Sequence, residues 1–192
     1  MEILRRDGSV LIALADGAGG SAGGAEAAEL AVRTILESDA GPDPAAWVMC
    51  LAEVDRRLYE AGGGETTAVA VFISPDCVVG ASVGDSGAWI VYPSRHENLT
   101  GRQQRKPLLG SGVAVPVLFE YREEGGVVLA ATDGLLKYTS PEKICEVICR
   151  TERELAPGSL IDLVRLRSGS LQDDVAVALC DRGRTPTRDS PA

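Results

Sequence analysis

The sequence predicts an α+β domain in which antiparallel strands are faced by helices. Two observations carry that prediction. The β-rich segments "TTAVAVFI" (66–73), "CVVGASVG" (77–84) and "GAWIVY" (87–92) are joined only by "SPD" and "DS", connections too short for helical crossovers and suited to antiparallel hairpins. Upstream, two stretches carry apolar residues at helical spacing, each shaped to bury one stripe against a sheet. A chain of 192 residues with 45% hydrophobic residues is long enough to bury roughly 70% of its unfolded surface in one domain without disulfide or metal staples. With aromatics at only 4%, Ala, Val, Leu and Ile must fill the core.

The elements follow in order. Arg5, Arg6 and Asp7 read as a charged hairpin turn, since "RDGS" joins two apolar pieces. Val10 to Ala15 is a strand, stopped by "DGAGGSAGG". Ala27, Leu30, Ala31, Thr34 and Ile35 then recur at helical spacing, with Glu26 and Glu29 in the first turn where the helix dipole favours acids. A second helix has Asp43 as N-cap and Pro44 in its first turn. It carries Trp47, Leu51, Val54 and Leu58 on one face and stops at Gly62, Gly63 and Gly64. After the three β-rich segments, residues 93–112 read as a polar loop holding His96, the single histidine. "VPVLFEY" and "GVVLAAT" read as a further hairpin pair. Short helices follow around 135–138, 141–149 and 159–167, and "DVAVALC" is the last strand. Residues 1–180 are expected to form one domain, with 181–192 a disordered tail.

Composition narrows the function. A net charge of −9 with scattered Lys and Arg argues against nucleic-acid and anionic-membrane partners. Five cysteines form neither a CxxC pair nor a cluster with histidine, which argues against a disulfide framework and a zinc site. With no signal segment and no apolar run of membrane-spanning length, a cytoplasmic protein is expected.

The acids are placed unusually. Asp16 closes an apolar strand before Gly17, and Asp85 follows "SVG". Asp133 follows "VVLAAT" before Gly134, and Asp173 and Asp174 precede the last strand. Any one Asp-Gly pair is an ordinary turn former, but several carboxylates at strand termini can share a site only if a cation neutralises them. All-oxygen ligation suits Mg²⁺ and Mn²⁺.

"ADGAGGSAGGAEAA", "GETTAVAV", "ASVGDSGAWIV", "LAATDGLL" and "QDDVAVAL" resemble, in order and spacing over roughly residues 10–180, successive motifs of the metal-dependent serine/threonine protein phosphatases (the PPM, or type 2C, family) in its compact bacterial form. The resemblance implies a four-layer α-β-β-α sandwich of two antiparallel sheets, with a site for two or three Mn²⁺ or Mg²⁺ ions at one end. It implies that Asp16 bridges two metals, Gly17 offers its carbonyl, and Asp133 and Asp173 complete the first metal site, so that Asp16, Asp133 and Asp173 carry catalysis. Asp85 would join Asp133 at a third, weaker site, with Asp174 and Ser86 in support behind the ligands.

The activity implied is hydrolysis of phosphoserine or phosphothreonine in proteins by metal-activated water, opposing a serine/threonine kinase. Ser21, Ser86 and His96 are not expected to serve as nucleophile or base. The family's first motif, which supplies a phosphate-binding Arg and further acids, has no match in "MEILRRDGS", and Arg5 and Arg6 are the weak substitutes on offer. That gap sustains a different reading, a degenerate phosphatase fold that binds phosphoproteins without turnover. A nucleotide-binding module on the glycine-rich loop is a poorer one, since no GK[ST] and no crossover unit accompany it.

Overall fold

The computed structural model describes residues 1–6, 8–18 and 23–182. β1 (Glu2–Arg6) and β2 (Ser9–Gly17) form the first hairpin, with Arg6 opposite Ser9, so Arg5 and Arg6 stand on the strand rather than in the turn. Asp7 lies outside the described residues, as does Ser21. α1 (Gly24–Glu37) and α2 (Pro44–Glu60) follow. The Asp43 side chain accepts the Ala45 N–H at 2.9 Å, the cap that the Asp-Pro pair predicts.

The remaining elements are β3 (Thr66–Ile73), β4 (Val78–Val83), β5 (Gly87–Val91), β6 (His96–Asn98), β7 (Val117–Tyr121) and β8 (Val127–Ala131), then α3 (Asp133–Leu136), α4 (Pro141–Arg150), α5 (Ala156–Asp162) and β9 (Val177–Asp181). The strands make two sheets, β1-β2-β3-β4-β7 and β6-β5-β8-β9, with every pairing antiparallel.

Three apolar clusters give four layers. Ala27, Ala31, Ile35, Trp47, Leu51 and Val54 of α1 and α2 pack on the outer face of the first sheet. Ile12, Leu14, Val69, Val71, Ile90 and Val128 interdigitate between the sheets. Leu135, Ile144, Ile148 and Leu160 of α3 to α5 cover the outer face of the second sheet. This is the α-β-β-α sandwich that the resemblance implies.

Four further sequence expectations are corrected. "DS" does not close a hairpin: β4 stays in the first sheet while β5 pairs with β6 and β8 in the second, so the chain crosses between sheets at Asp85. "VPVLFEY" and "GVVLAAT" do not pair with each other, because β7 joins β4 and β8 joins β5 and β9. Strands buried on both faces read as nearly continuous apolar runs, as β4, β5 and β8 do, so their pattern carries no sign of which sheet they enter. His96 is in β6 rather than in a loop and stacks on Trp89, with ring centroids 4.8 Å apart. At the C-terminal end, Asp181 belongs to β9 and Arg182 is buried, so these two are not part of the expected tail. Residues 183–192 lie outside the described residues.

Candidate active site

Register brings the acids together. Asp16 is opposite Thr67 on β3, Ala68 is opposite Val83 at the end of β4, and Gly87, Ala131 and Val177 align across β5, β8 and β9. All these termini lie at one end of the sandwich. There Asp16, Gly17, Asp85, Asp133, Asp173 and Asp174 line a cavity of about 340 Å³, joined by Thr67, Arg105, Lys106 and Leu108.

Local chemistry sets each acid. Thr67 Oγ1 accepts the Asp16 N–H at 3.1 Å and shares a 2.7 Å hydrogen bond with Ser86 Oγ, while Thr66 Oγ1 donates to the Asp16 carbonyl at 2.9 Å. Ser86 thus sits behind the cavity, buried, and steadies Asp16 through Thr67. Gly17 is required by close approach, since a Cβ there would collide with the Gly24 carbonyl oxygen.

Asp133 opens α3. The preceding Thr132 donates its hydroxyl to the Asp174 carbonyl at 3.1 Å and accepts the Ala176 N–H at 3.0 Å, which ties Asp133 to the Asp173–Asp174 segment. A Cβ at Gly134 would strike the same Asp174 carbonyl, so the Asp-Gly pair here serves packing as well as turning.

The electrostatics are those of crowded carboxylates. Partial burial, then the charges of Asp133, Asp173, Asp174 and Asp85, push the Asp16 carboxyl up to about 6. Asp133 is raised by burial and by Asp85 and Asp173, against the opposing pull of Lys137 and Arg105. Arg105 forms ion pairs with Asp85, Nε to Oδ2 at 2.5 Å, and with Asp133, Nη2 to Oδ2 at 3.8 Å. Among the described residues no three acidic, histidine or cysteine side chains converge tightly enough to enclose a metal ion; the carboxylates ring the cavity without closing on a point. The donor set still fits a hard divalent cation, being all oxygen, partly desolvated and mutually repulsive.

Arg5 and Arg6 are not brought to this cavity. Both stand on β1 at the edge of the sheet. Arg5 lies near Cys180, whose thiol is pushed up by burial against the opposing charge of Arg5, and Arg6 lines a separate groove between β1 and α1. The basic groups that do reach the acids, Arg105 and Lys106, come from the segment that the sequence marks only as a polar loop.

A further residue escaped the sequence reading. Asp55 on α2 is 6% exposed, and its carboxylate accepts the backbone N–H groups of Gly110 at 2.7 Å, Gly112 at 3.1 Å and Ala114 at 3.2 Å. It clamps the loop that carries Arg105. The signal lay in the helical stripe, where Asp55 falls between Leu51 and Leu58 among buried positions.

No family model matches the sequence, and no protein of curated function matches it in sequence. Solved structures do match the fold. A serine/threonine phosphatase from S. agalactiae aligns with a TM-score of 0.79 at 25% identity, covering 93% of this chain and 90% of that one. A bacterial serine phosphatase aligns with a TM-score of 0.80 at 19% identity, covering 91% and 87%. The catalytic domain of the serine/threonine protein phosphatase PstP, in complex with two manganese ions, aligns at 0.74 and 19% identity, covering 94% and 90%. Over about nine-tenths of its length this chain therefore has the fold of the bacterial PPM-type serine/threonine phosphatases.

Proposed function

We propose that this protein hydrolyses phosphoserine or phosphothreonine in protein substrates, using Mn²⁺ or Mg²⁺ held by Asp16, the Gly17 carbonyl, Asp85, Asp133 and Asp173. The observation that supports this most is the convergence of five aspartates from four separate segments on one cavity, in a fold shared with such phosphatases, one of which is in complex with two manganese ions. Divalent cations in such a site supply acidified water and offset charge on the phosphoryl oxygens.

The chain's own residues do the positioning. Thr66 and Thr67 fix the backbone of Asp16 through its carbonyl and amide, and Thr132 and Gly134 hold Asp133 against the Asp173–Asp174 segment. Arg105 and Lys106 bring positive charge to the mouth of an acidic cavity, where a phosphate monoester would otherwise meet only repulsion. A protein substrate, placed opposite a serine/threonine kinase, is part of this reading, and a cytoplasmic location goes with it. Among the described residues no helix is long and apolar enough to cross a membrane.

The second reading, a phosphoprotein-binding module without turnover, draws on Arg105, which already neutralises Asp85 and Asp133. One assay separates the two. The purified chain is given p-nitrophenyl phosphate and a phosphothreonine peptide with Mn²⁺, with Mg²⁺, and with excess EDTA. Turnover that requires metal supports the enzyme. Binding of the peptide without phosphate release supports the module, and undiminished turnover in EDTA sinks both.

A further inference from the structure

Arg105 is the one basic side chain that forms an ion pair with the cavity acids among the described residues; Lys106 lines the same cavity without doing so. The loop beneath it is held on both sides. Before it, Ser82 Oγ on β4 donates to Gln103 Oε1 at 3.3 Å. After it, Leu109 pairs with Thr66, N to O at 3.1 Å and 3.0 Å in the two directions, and Asp55 clamps residues 110–114. The side chain itself is largely exposed. Its relative exposure is 66%, whereas those of Asp85 and Asp133 are 28% and 15%. The arrangement is an anchored backbone bearing an exposed guanidinium, paired with two carboxylates that belong to the candidate metal site.

We propose that Arg105 and a divalent cation compete for Asp85 and Asp133, and that the displaced guanidinium then binds the phosphate of the substrate. The inference rests on the metal-dependent phosphatase reading above. A doubly charged ion outbids one guanidinium for two carboxylates, and the exposed pair it must break is weak. The guanidinium that leaves is a planar fork whose donors match phosphate oxygens as well as carboxylate oxygens. Held by the same loop, it stays at the cavity mouth. Arrival of the cation and creation of a phosphate-binding group thus become one event, and the chain avoids offering a phosphate site before the site is charged.

The test reads binding rather than turnover. MnCl₂ is titrated calorimetrically into the parent, Arg105→Gln, Arg105→Lys and Lys106→Gln, each checked for an unchanged melting profile. Arg105→Gln should bind Mn²⁺ roughly fivefold more tightly, since an exposed competing ion pair is lost. Arg105→Lys should fall between, and Lys106→Gln should gain less than half as much.

Inorganic phosphate is then titrated into the Mn²⁺-saturated proteins. Arg105→Gln should lose about tenfold in phosphate affinity, the loss of a charge-assisted bidentate contact. Equal Mn²⁺ affinity in the parent and Arg105→Gln, equal gains at positions 105 and 106, or unchanged phosphate affinity would each overturn the proposal while leaving the phosphatase reading intact. Failure of the parent to bind Mn²⁺ at all would overturn both.

Discussion

The two sides of the acidic cavity carry similar sequence and different electrostatics. Asp16 lies at the end of an apolar strand and Asp133 two residues beyond one, and each precedes a glycine that close packing demands. Yet the Asp16 side has no basic group among the causes of its shift, and its carboxyl is pushed up to about 6 by burial and four neighbouring acids. On the Asp133 side, Lys137 and Arg105 pull in the opposite direction and Arg105 also pairs with Asp85. The same Asp-Gly turn is therefore a point of unrelieved negative charge in one place and a partly neutralised one in the other. On the proposed metal-dependent reading, an incoming cation should gain most at Asp16 and least at Asp85, where it must displace Arg105.

Removing acids breaks the comparison most severely. Asp16→Ala and Asp133→Ala should each lower Mn²⁺-dependent phosphopeptide turnover at least about a hundredfold with the fold retained. Asp85→Ala should cost only about tenfold, because a cation must displace Arg105 to use that carboxylate and so gains least there. Steady-state kinetics on the three variants check this, and a larger loss at Asp85 than at Asp16 would reverse the assignment of the two sides.

The loop clamp comes next. Asp55→Asn keeps the shape but replaces one accepting oxygen by an NH2 donor and removes the charge from the other, which should remove about 2 kcal/mol of stability, a fall of roughly 4–8 °C in Tm. Because Asp55 touches the Arg105 loop rather than the acids, KM for a phosphopeptide should rise more than kcat falls. Calorimetry with kinetics at several substrate concentrations measures both, and an unchanged KM would detach the loop from substrate binding.

Metal affinities sharpen the contrast further. If Asp16, Asp133 and Asp173 serve one ion, a second keeps mainly Asp16 and the Gly17 carbonyl, and affinity in sites of hard oxygen donors follows the count of charged ligands. A Mn²⁺ titration should resolve one tight event and one at least about ten times weaker, with activity tracking the weaker. Two equally tight events would show that another acid, Asp7 being the first to test, completes the second site.

The smallest expected effect is on stability against pH without metal. The folded Asp16 carboxyl holds its proton more tightly than an unfolded aspartate does, with a value of about 6 against 3.8. Its contribution therefore favours the fold at and below about pH 4 and is lost as pH rises through 6. Since the group is partly solvated, the loss should be on the order of 1 kcal/mol. Urea unfolding in EDTA at pH 4.5 and 7.5 should show this pH dependence in the parent and a weaker one in Asp16→Asn. Identical dependence in the two would place the shifted proton elsewhere.

Much of this molecule was determined within short windows of sequence. The stripes of α1 and α2, the Asp43 cap, the β1-β2 hairpin and the placement of five aspartates at strand termini follow from helical spacing, period and turn chemistry, which act over a few residues. The order of five motifs was enough to anticipate a fold that solved phosphatases share.

Tertiary structure alone decided the rest. Whether β5 and β7 joined their neighbours in sequence or crossed to other partners depended on non-local pairing, to which uniformly buried strands such as β4 and β5 give no local clue. The buried clamp from Asp55 and the meeting of Arg105 with Asp85 and Asp133 join segments 20 to 59 residues apart in the chain. The unequal charge balance across the cavity is a sum over groups from several strand ends and one loop. Pairing and Coulomb energies depend on separation in space, and only the folded chain sets that separation.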